Sequence, residues 1–402
     1  MENVEIAFYK LNYEPSSLST FIPVFQNIVL MTIQECTNIL EDWAPLPYAE
    51  DFDNVGLLVG DARQKISGIL ITLDTLEQTV AEAIEKDCNL IVSFHPIIFK
   101  GLKKLTGSSY VERTVLRAIQ NNIAIYAIHT ALDNCNTGVN DEIANRLGLT
   151  QKRILIPQPS TLRKLVTYVP TSHIHRVKVA LGEAGAGRIG NYDYCSFSTL
   201  GEGNYQPNPT ATPFRGTKGE IHSEEEIQLH CVMDKHYERS VIEALLTFHP
   251  YEEVAYEITT LNNTNRHRGM GMIGTLAKPE NEIEFLERVK SVFGTGCIRH
   301  SELLGRQIQK VAVLGGSGSF AIRNAIGAQA DVFVTADLKY HDFYQAEHEI
   351  ILADIGHHES EQFTKNLLHT YLTKKISNFA PALAKGKIFI SEENTNPVKY
   401  LY

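Results

Sequence analysis

Apolar and polar positions along the chain alternate between two rhythms. Short unbroken apolar runs at 69–73, 90–93 and 123–128 read as buried strands. Stretches at 76–86 and 110–121 carry apolar residues three and four apart, the spacing of an amphipathic helix. An earlier helix opens after Thr32 as N-cap, with Ile33, Cys36, Ile39 and Leu40 on one face. Strands alternating with helices predict a mostly parallel sheet covered on both faces. Ligands of such sheets gather beyond the carboxyl ends of the strands. The run at 90–93 leads straight to His95, and the run at 123–128 leads straight to His129.

The rhythm changes further along. Strands at 164–169, 195–200, 227–233 and 254–259, with helices at 173–182 and 239–249, give the order β-α-β-β-α-β, a ferredoxin-like unit; a Gly, Pro, Asn and Thr-rich loop spans 201–219. An α/β pattern then resumes, with strands at 311–314, 332–335 and 350–353 and helices at 320–326 and 360–372. The fold class expected is therefore α/β, with two α/β lobes forming a discontinuous core and an inserted ferredoxin-like α+β domain. The expected divisions are an N-terminal lobe at 31–162, the insertion at 163–262 and a C-terminal lobe at 263–402. Residues 1–30 read as a poorly ordered extension, or as a start assigned too early.

Length and composition narrow the function classes. A chain of 402 residues has room for two or three domains, and 43% hydrophobic with 21% charged residues is an ordinary globular mixture. The formal charge of −10 argues against non-specific binding to nucleic acid or to an anionic membrane, both of which need clustered positive charge. The apolar-leaning run at 21–33 is broken by Pro23, Gln26 and Asn27 and is too short to span a bilayer. Six scattered cysteines without a C-x-x-C pair imply neither a zinc knuckle nor a disulfide framework, and reduced thiols imply a cytoplasmic location.

Five residues at strand ends form a candidate metal set: His95, His129, Asp133, His357 and Glu361. His357 and Glu361 are four apart at the start of a helix, so one face presents an imidazole and a carboxylate together. His129 and Asp133 repeat that spacing, and Pro96 stiffens the backbone beside His95. Mixed imidazole and carboxylate donors suit zinc, iron, manganese or nickel, one or two ions per chain. A carboxylate such as Glu361 can bridge two ions ~3.5–4 Å apart, the arrangement of metal-assisted hydrolysis. Gly315, Gly316, Ser317 and Gly318 follow a strand and precede a helix; they read as an anion nest for a phosphate or, equally, as a tight structural turn.

The segments Asp53-Asn54-Val55-Gly56-Leu57-Leu58-Val59-Gly60-Asp61, Phe94-His95-Pro96-Ile97-Ile98-Phe99, His129-Thr130-Ala131-Leu132-Asp133 and Gly356-His357-His358-Glu359-Ser360-Glu361 together resemble the NIF-three-like dinuclear metal centre family. Its bacterial members carry the name GTP cyclohydrolase I type two homologue. The resemblance runs from about Met31 to the C-terminus and includes Gly185-Ala186-Gly187-Arg188-Ile189-Gly190-Asn191-Tyr192 and His249-Pro250-Tyr251-Glu252-Glu253-Val254-Ala255-Tyr256 of the family's long forms. It implies metal ligands at His95, Asp133, His357 and Glu361. Phe94 stands where the family's tandem has its first imidazole, so a single-ion site becomes an expectation, with His129 or His341 as candidate replacements.

The resemblance further implies that Tyr340 and His341 line the same cleft as substrate or proton-transfer groups. It implies a ring-shaped homo-hexamer, and a middle domain similar to small trimeric signalling and copper-tolerance proteins, serving assembly or regulation. His249, Glu252 and Glu253 look like another ligand cluster, but Pro250 makes a turn into a strand the better reading. The activity implied is divalent-metal-dependent hydrolysis of a nucleotide, in the manner of a GTP cyclohydrolase. His129 or Glu361 would move protons, and the 315–318 turn would seat phosphate. A non-catalytic metal-binding scaffold, metallochaperone or regulator is the competing class.

Overall fold

The computed structural model describes residues 31–401, so the expected extension at 1–30 lies outside the described residues. The strands assemble into three sheets of a mixed α/β fold. Ile69–Thr72, Leu90–Ser93 and Ala124–Ala127 are buried at every position, as parallel strands covered on both faces must be. They lie side by side in parallel. Gly56–Val59 closes one edge antiparallel to Ala124–Ala127, and Ile388–Ile390 closes the other parallel to Ile69–Thr72.

A second sheet runs Arg299–His300, Ile351–Asp354, Val332–Ala336, Ile308–Ser317, Gly269–Glu280, Thr150–Pro157. Its middle three strands are parallel and the others antiparallel. Two strands cross the expected division at 162 and 263. Thr150–Pro157 pairs within the sheet of the later residues, and Ile388–Ile390 returns to the sheet of the earlier ones. The hydrophobic pattern does not single out Gly269–Glu280, because glycines interrupt it. At Gly269 (φ +147°) a Cβ would lie 2.2 Å from the carbonyl oxygen of Ile156, so the close approach of the two strands requires the glycine.

Residues 162–261 form the third sheet. Its elements are Leu162–Pro170, Ile174–Glu183, Ser196–Tyr205, His222–Asp234, Glu238–Phe248 and Tyr256–Leu261, with the first and third strands central and every pairing antiparallel. The expected loop starts at 206 rather than 201, because pairing continues to Tyr205 opposite His222. Helices Ile33–Trp43, Glu282–Phe293 and Thr364–Ile376 share one core with both parallel sheets, through Ile33, Leu40, Val92, Phe285, Val334 and Leu368. The two sheets therefore pack through a common helical layer. The expected helix at 360–372 divides into His357–Glu361 and Thr364–Ile376, and the short first piece carries two of the candidate ligands.

Candidate metal centre

Five acidic or imidazole side chains follow the carboxyl ends of parallel strands and meet where the two sheets face each other. Asp74 comes after Ile69–Thr72, His95 after Leu90–Ser93, His129 after Ala124–Ala127, Asp337 after Val332–Ala336 and His357 after Ile351–Asp354. His95 Nε2 and His357 Nε2 are 3.4 Å apart, across 262 residues of chain. Glu361 Oε2 stands 3.1 Å from each of them. Among the described residues these three present one donor atom each within 4.8 Å of one another.

The triad has the character of a cation site. Glu361 is 3% exposed, and its Oε2 receives no properly directed hydrogen bond although two imidazole nitrogens are near. Its neighbours converge on a common point without satisfying one another. Asp133 Oδ1 is also buried without a partner. Burial first, and then the Glu361 charge, holds the Asp133 carboxyl well above the usual carboxylate range.

Each imidazole is braced from behind. His95 Nδ1 donates to Asp74 Oδ1 (2.9 Å), and His357 Nδ1 donates to Asp337 Oδ2 (2.7 Å). This arrangement fixes the tautomer and turns both Nε2 atoms toward Glu361, as the outer partners of metal-binding histidines do. Asp74 is held in turn by Thr395 Oγ1 (2.7 Å), and Asn396 Nδ2 donates to Glu359 (3.1 Å), so the C-terminal segment buttresses both sides of the triad. His129 is braced likewise: its Nδ1 donates to Asp53 Oδ1 (2.8 Å), while Thr130 secures Asp53 Oδ2 through Oγ1 (2.5 Å) and N–H (3.1 Å). The His129 ring lies 5.2 Å from that of His95.

Burial alone would lower the His95 imidazole. The Glu361 charge and the hydrogen bond that His95 donates to Asp74 outweigh it and push the group up to about 10. At His357 the same opposition, with Asp337 leading the raising partners, gives about 11. Burial would raise Glu361, but the charges of His95 and His357, each 3.1 Å away, hold it far below the usual carboxylate range.

The triad opens on a cleft of about 740 Å³ whose lining includes His129, Phe99, Tyr110, Arg299, Asp337 and Tyr400. Phe94 is 0% exposed and packs its ring against His95 and His129 (4.9 and 5.6 Å), so it offers the site hydrophobic support and no donor.

Two sequence expectations change. The 315–318 turn is not an anion nest: Gly315 N–H donates to Asn140 Oδ1 (3.0 Å), Gly316 N–H to Ser360 Oγ (3.0 Å) and Gly318 N–H to the Ala336 carbonyl (3.3 Å), while Ser317 belongs to a strand. With three of its four amides already used, the turn has little left for a phosphate. Its glycines serve the triad instead, since a Cβ at Gly316 would sit 2.4 Å from Glu361 Oε1. Tyr340 and His341 are placed apart from the cleft. Tyr340 is 71% exposed and lines a separate hollow with Phe343 and Tyr344, and the exposed His341 ring packs on Tyr340 at 5.1 Å. His249 caps a turn, its Nε2 bonded to the Tyr168 carbonyl (2.9 Å) and its Nδ1 accepting from Tyr251 N–H (3.1 Å). The bracing aspartates 74 and 337 were missed; their signal was an acidic residue close behind an apolar strand.

The sequence profile of Duf34/NIF3 (NGG1p interacting factor 3) matches residues 31–397. The chain belongs to the Duf34/NIF3 family. A Bacillus subtilis relative named GTP cyclohydrolase 1 type 2 homolog is 36% identical over 370 residues, 92% of this chain and 98% of the relative. One of the same name from Halalkalibacterium halodurans is 38% identical over 326 residues, covering 81% and 88%. The crystal structure of a Bacillus cereus protein related to NIF3 superposes with a TM-score of 0.80 at 34% identity, covering 92% of this chain and all of that one. Among the described residues no helix is long and apolar enough to cross a membrane.

Proposed function

We propose that this Duf34/NIF3 chain is a divalent-metal-dependent hydrolase acting on a nucleotide, as the name carried by its relatives suggests. The observation that carries this reading is the buried, aspartate-braced triad His95–His357–Glu361 at the mouth of a large cleft. These three residues would hold the ion, with Asp133 as a fourth donor close by. Zinc, iron, manganese and nickel all suit such donors. Bound there, a divalent cation supplies Lewis acidity and a water acidic enough to ionise near neutral pH.

The chain's own groups do the rest. Asp74 and Asp337 keep His95 and His357 oriented. Glu361, held strongly acidic, is a ligand and not a proton carrier. His129, fixed at Nδ1 by Asp53, offers its other nitrogen to the cleft as the proton relay. Phe99, Tyr110 and Tyr400 provide ring surfaces for a planar base, and Arg299 a cation for an anionic group.

Loading of metal should displace the protons on His95 and His357. Affinity is therefore expected to rise with pH across pH 6 to 8, by about two decades of association constant per pH unit if both protons leave together. Titration with a chromophoric chelator at several pH values measures that slope; a flat profile would contradict ligation through these imidazoles.

Turnover of GTP by the metal-loaded chain tests the reaction. His129→Ala is expected to lower kcat by about 10²–10⁴ with metal content retained. Phe94 at the place of an imidazole favours a second reading, a single-ion scaffold without catalysis. Tight metal binding with no turnover of any nucleoside phosphate would establish it. The proposal extends to a cytoplasmic location, which six free cysteines support, to a homo-hexamer, which rests on the family resemblance, and to a division at 31–162, 163–262 and 263–402 with a ferredoxin-like insertion, supported by the β-α-β-β-α-β order of the third sheet.

A further inference from the structure

The third sheet has two faces. Leu229, Cys231 and Met233 point to its helices and share their core with Val177, Leu181 and Leu245. Alternation along the strand sends Glu226 and Gln228 to the opposite face. There the segment 206–219 folds over the sheet and is tied down, with Tyr205 Oη donating to the Arg215 carbonyl (2.9 Å) and Thr212 N–H donating to Glu252 Oε1 (2.7 Å). Between sheet and segment lies a hollow of about 630 Å³, remote in sequence from every residue of the metal centre.

Its chemistry is distinctive. The lining carries four carboxylates, Glu202, Glu226, Glu252 and Glu253, and no lysine, arginine or histidine. Tyr168, Tyr205, Phe214 and Tyr251 supply aromatic walls. Arg215, next in sequence to Phe214, is paired with Glu224 (2.5 Å) and sits 5.5 Å from the centroid of the Phe214 ring. Glu226 is 8% exposed; its Oε1 accepts from Tyr251 Oη (2.7 Å), while among the described residues Oε2 accepts from nothing.

The edge strand carries two glycines on the face that Glu226 shares. Gly201 lies directly opposite Glu226, and Gly203 is two positions further along the same face. A Cβ at Gly203 would fall 2.1 Å from Glu226 Oε2, whereas one at Gly201 meets nothing within 4 Å. A side chain is therefore sterically excluded at 203, against which the Glu226 carboxylate lies, and at 201 the same face of the strand is open.

We propose that this hollow is a second ligand site that takes a small organic cation bearing N–H donors, an alkyl diamine or a guanidine. The free Glu226 oxygen accepts the charged N–H group, and the surrounding rings hold the cation by their negative faces. Excess negative charge in a partly enclosed site excludes anionic metabolites by repulsion and draws in cations. Nothing in this assignment depends on the metal centre.

Isothermal titration of the full chain with agmatine and with putrescine tests the proposal. Saturable binding is expected with at least one of them, weakened at least about tenfold in Glu226→Gln, which keeps the side chain's shape but removes its charge. Gly201→Val is expected to weaken binding as much by filling the floor, and its melting temperature, like that of Glu226→Gln, should match the parent. Absence of binding at millimolar concentration would overturn the proposal, as would binding unchanged in both variants. Equal binding of magnesium ion or of uncharged adenosine would overturn the organic-cation assignment. An assembly that dissociates in Gly201→Val would show that a second copy covers the hollow, and would overturn it as well.

Discussion

Glu361→Ala is expected to leave the chain unable to retain a divalent ion and to destabilise the metal-free protein by about 3 kcal/mol. The carboxylate is 3% exposed, and its Oε2 lies 3.1 Å from two imidazole nitrogens that are themselves 3.4 Å apart. Truncation leaves two histidines whose raised affinity for protons came in part from that charge, with like charges facing each other across a cavity. Removing one member of a buried ionic cluster costs more than the pair is worth, because the survivors keep their desolvation penalty. Metal content after desalting, and urea unfolding in the presence of a chelator, measure the two effects separately. Wild-type metal retention in Glu361→Ala would refute the ligand assignment. Glu361→Gln preserves the volume and should lose metal with a smaller loss of stability.

Gly316→Ala is expected to have the next largest effect, although it adds one methyl group. Gly316 has φ +67°, a region that costs a residue with a Cβ of order 1 kcal/mol, and the added carbon would lie 2.4 Å from Glu361 Oε1 and 3.3 Å from His357 Cε1. Both ligands lie on the short helix His357–Glu361, which the Gly316 N–H to Ser360 Oγ bond docks against the strand. Relief of the clash moves the helix, and with it two of the three triad members. Metal affinity should fall at least about tenfold, within or beyond the range produced by losing an outer partner of a ligand. Gly327→Ala, where a Cβ meets nothing within 4 Å, is the control and should leave affinity unchanged. If Gly316→Ala bound metal like the parent, the steric role of the turn would be excluded.

The legible part of this protein is the part written in local pattern. The buried strands 69–72, 90–93 and 124–127 are continuous apolar runs, and a parallel sheet needs nothing subtler. Gly269–Glu280 carries glycines where backbones approach one another, and these erase the hydrophobic signal that pairing would otherwise leave. At the site, His357 and Glu361 were legible because four residues of helix bring them to one face. His95 and His129 were legible because each stands just beyond a strand. Asp74 and Asp337 have the same placement, yet an aspartate after a strand is also ordinary turn chemistry, and only the imidazole it touches distinguishes the two.

The glycine-rich turn shows where pattern reading ends. In sequence an anion nest and a steric cradle look alike, because both need residues without side chains. The difference lies in what reaches the amides: Asn140 and Ser360, from elements 175 and 44 residues away, already occupy two of them. By itself the sequence determined most of the strands and helices and which types of donor stand at strand ends. Those properties depend on neighbours a few positions off. The tertiary structure decided that His95 and Glu361, far apart along the chain, come within 3.1 Å, that Asp133 Oδ1 is buried without a partner, and that Tyr340 and His341 stand apart from the cleft. Such convergence is set by how two sheets dock through a common helical layer, a sum over many long-range contacts that no short window of residues contains.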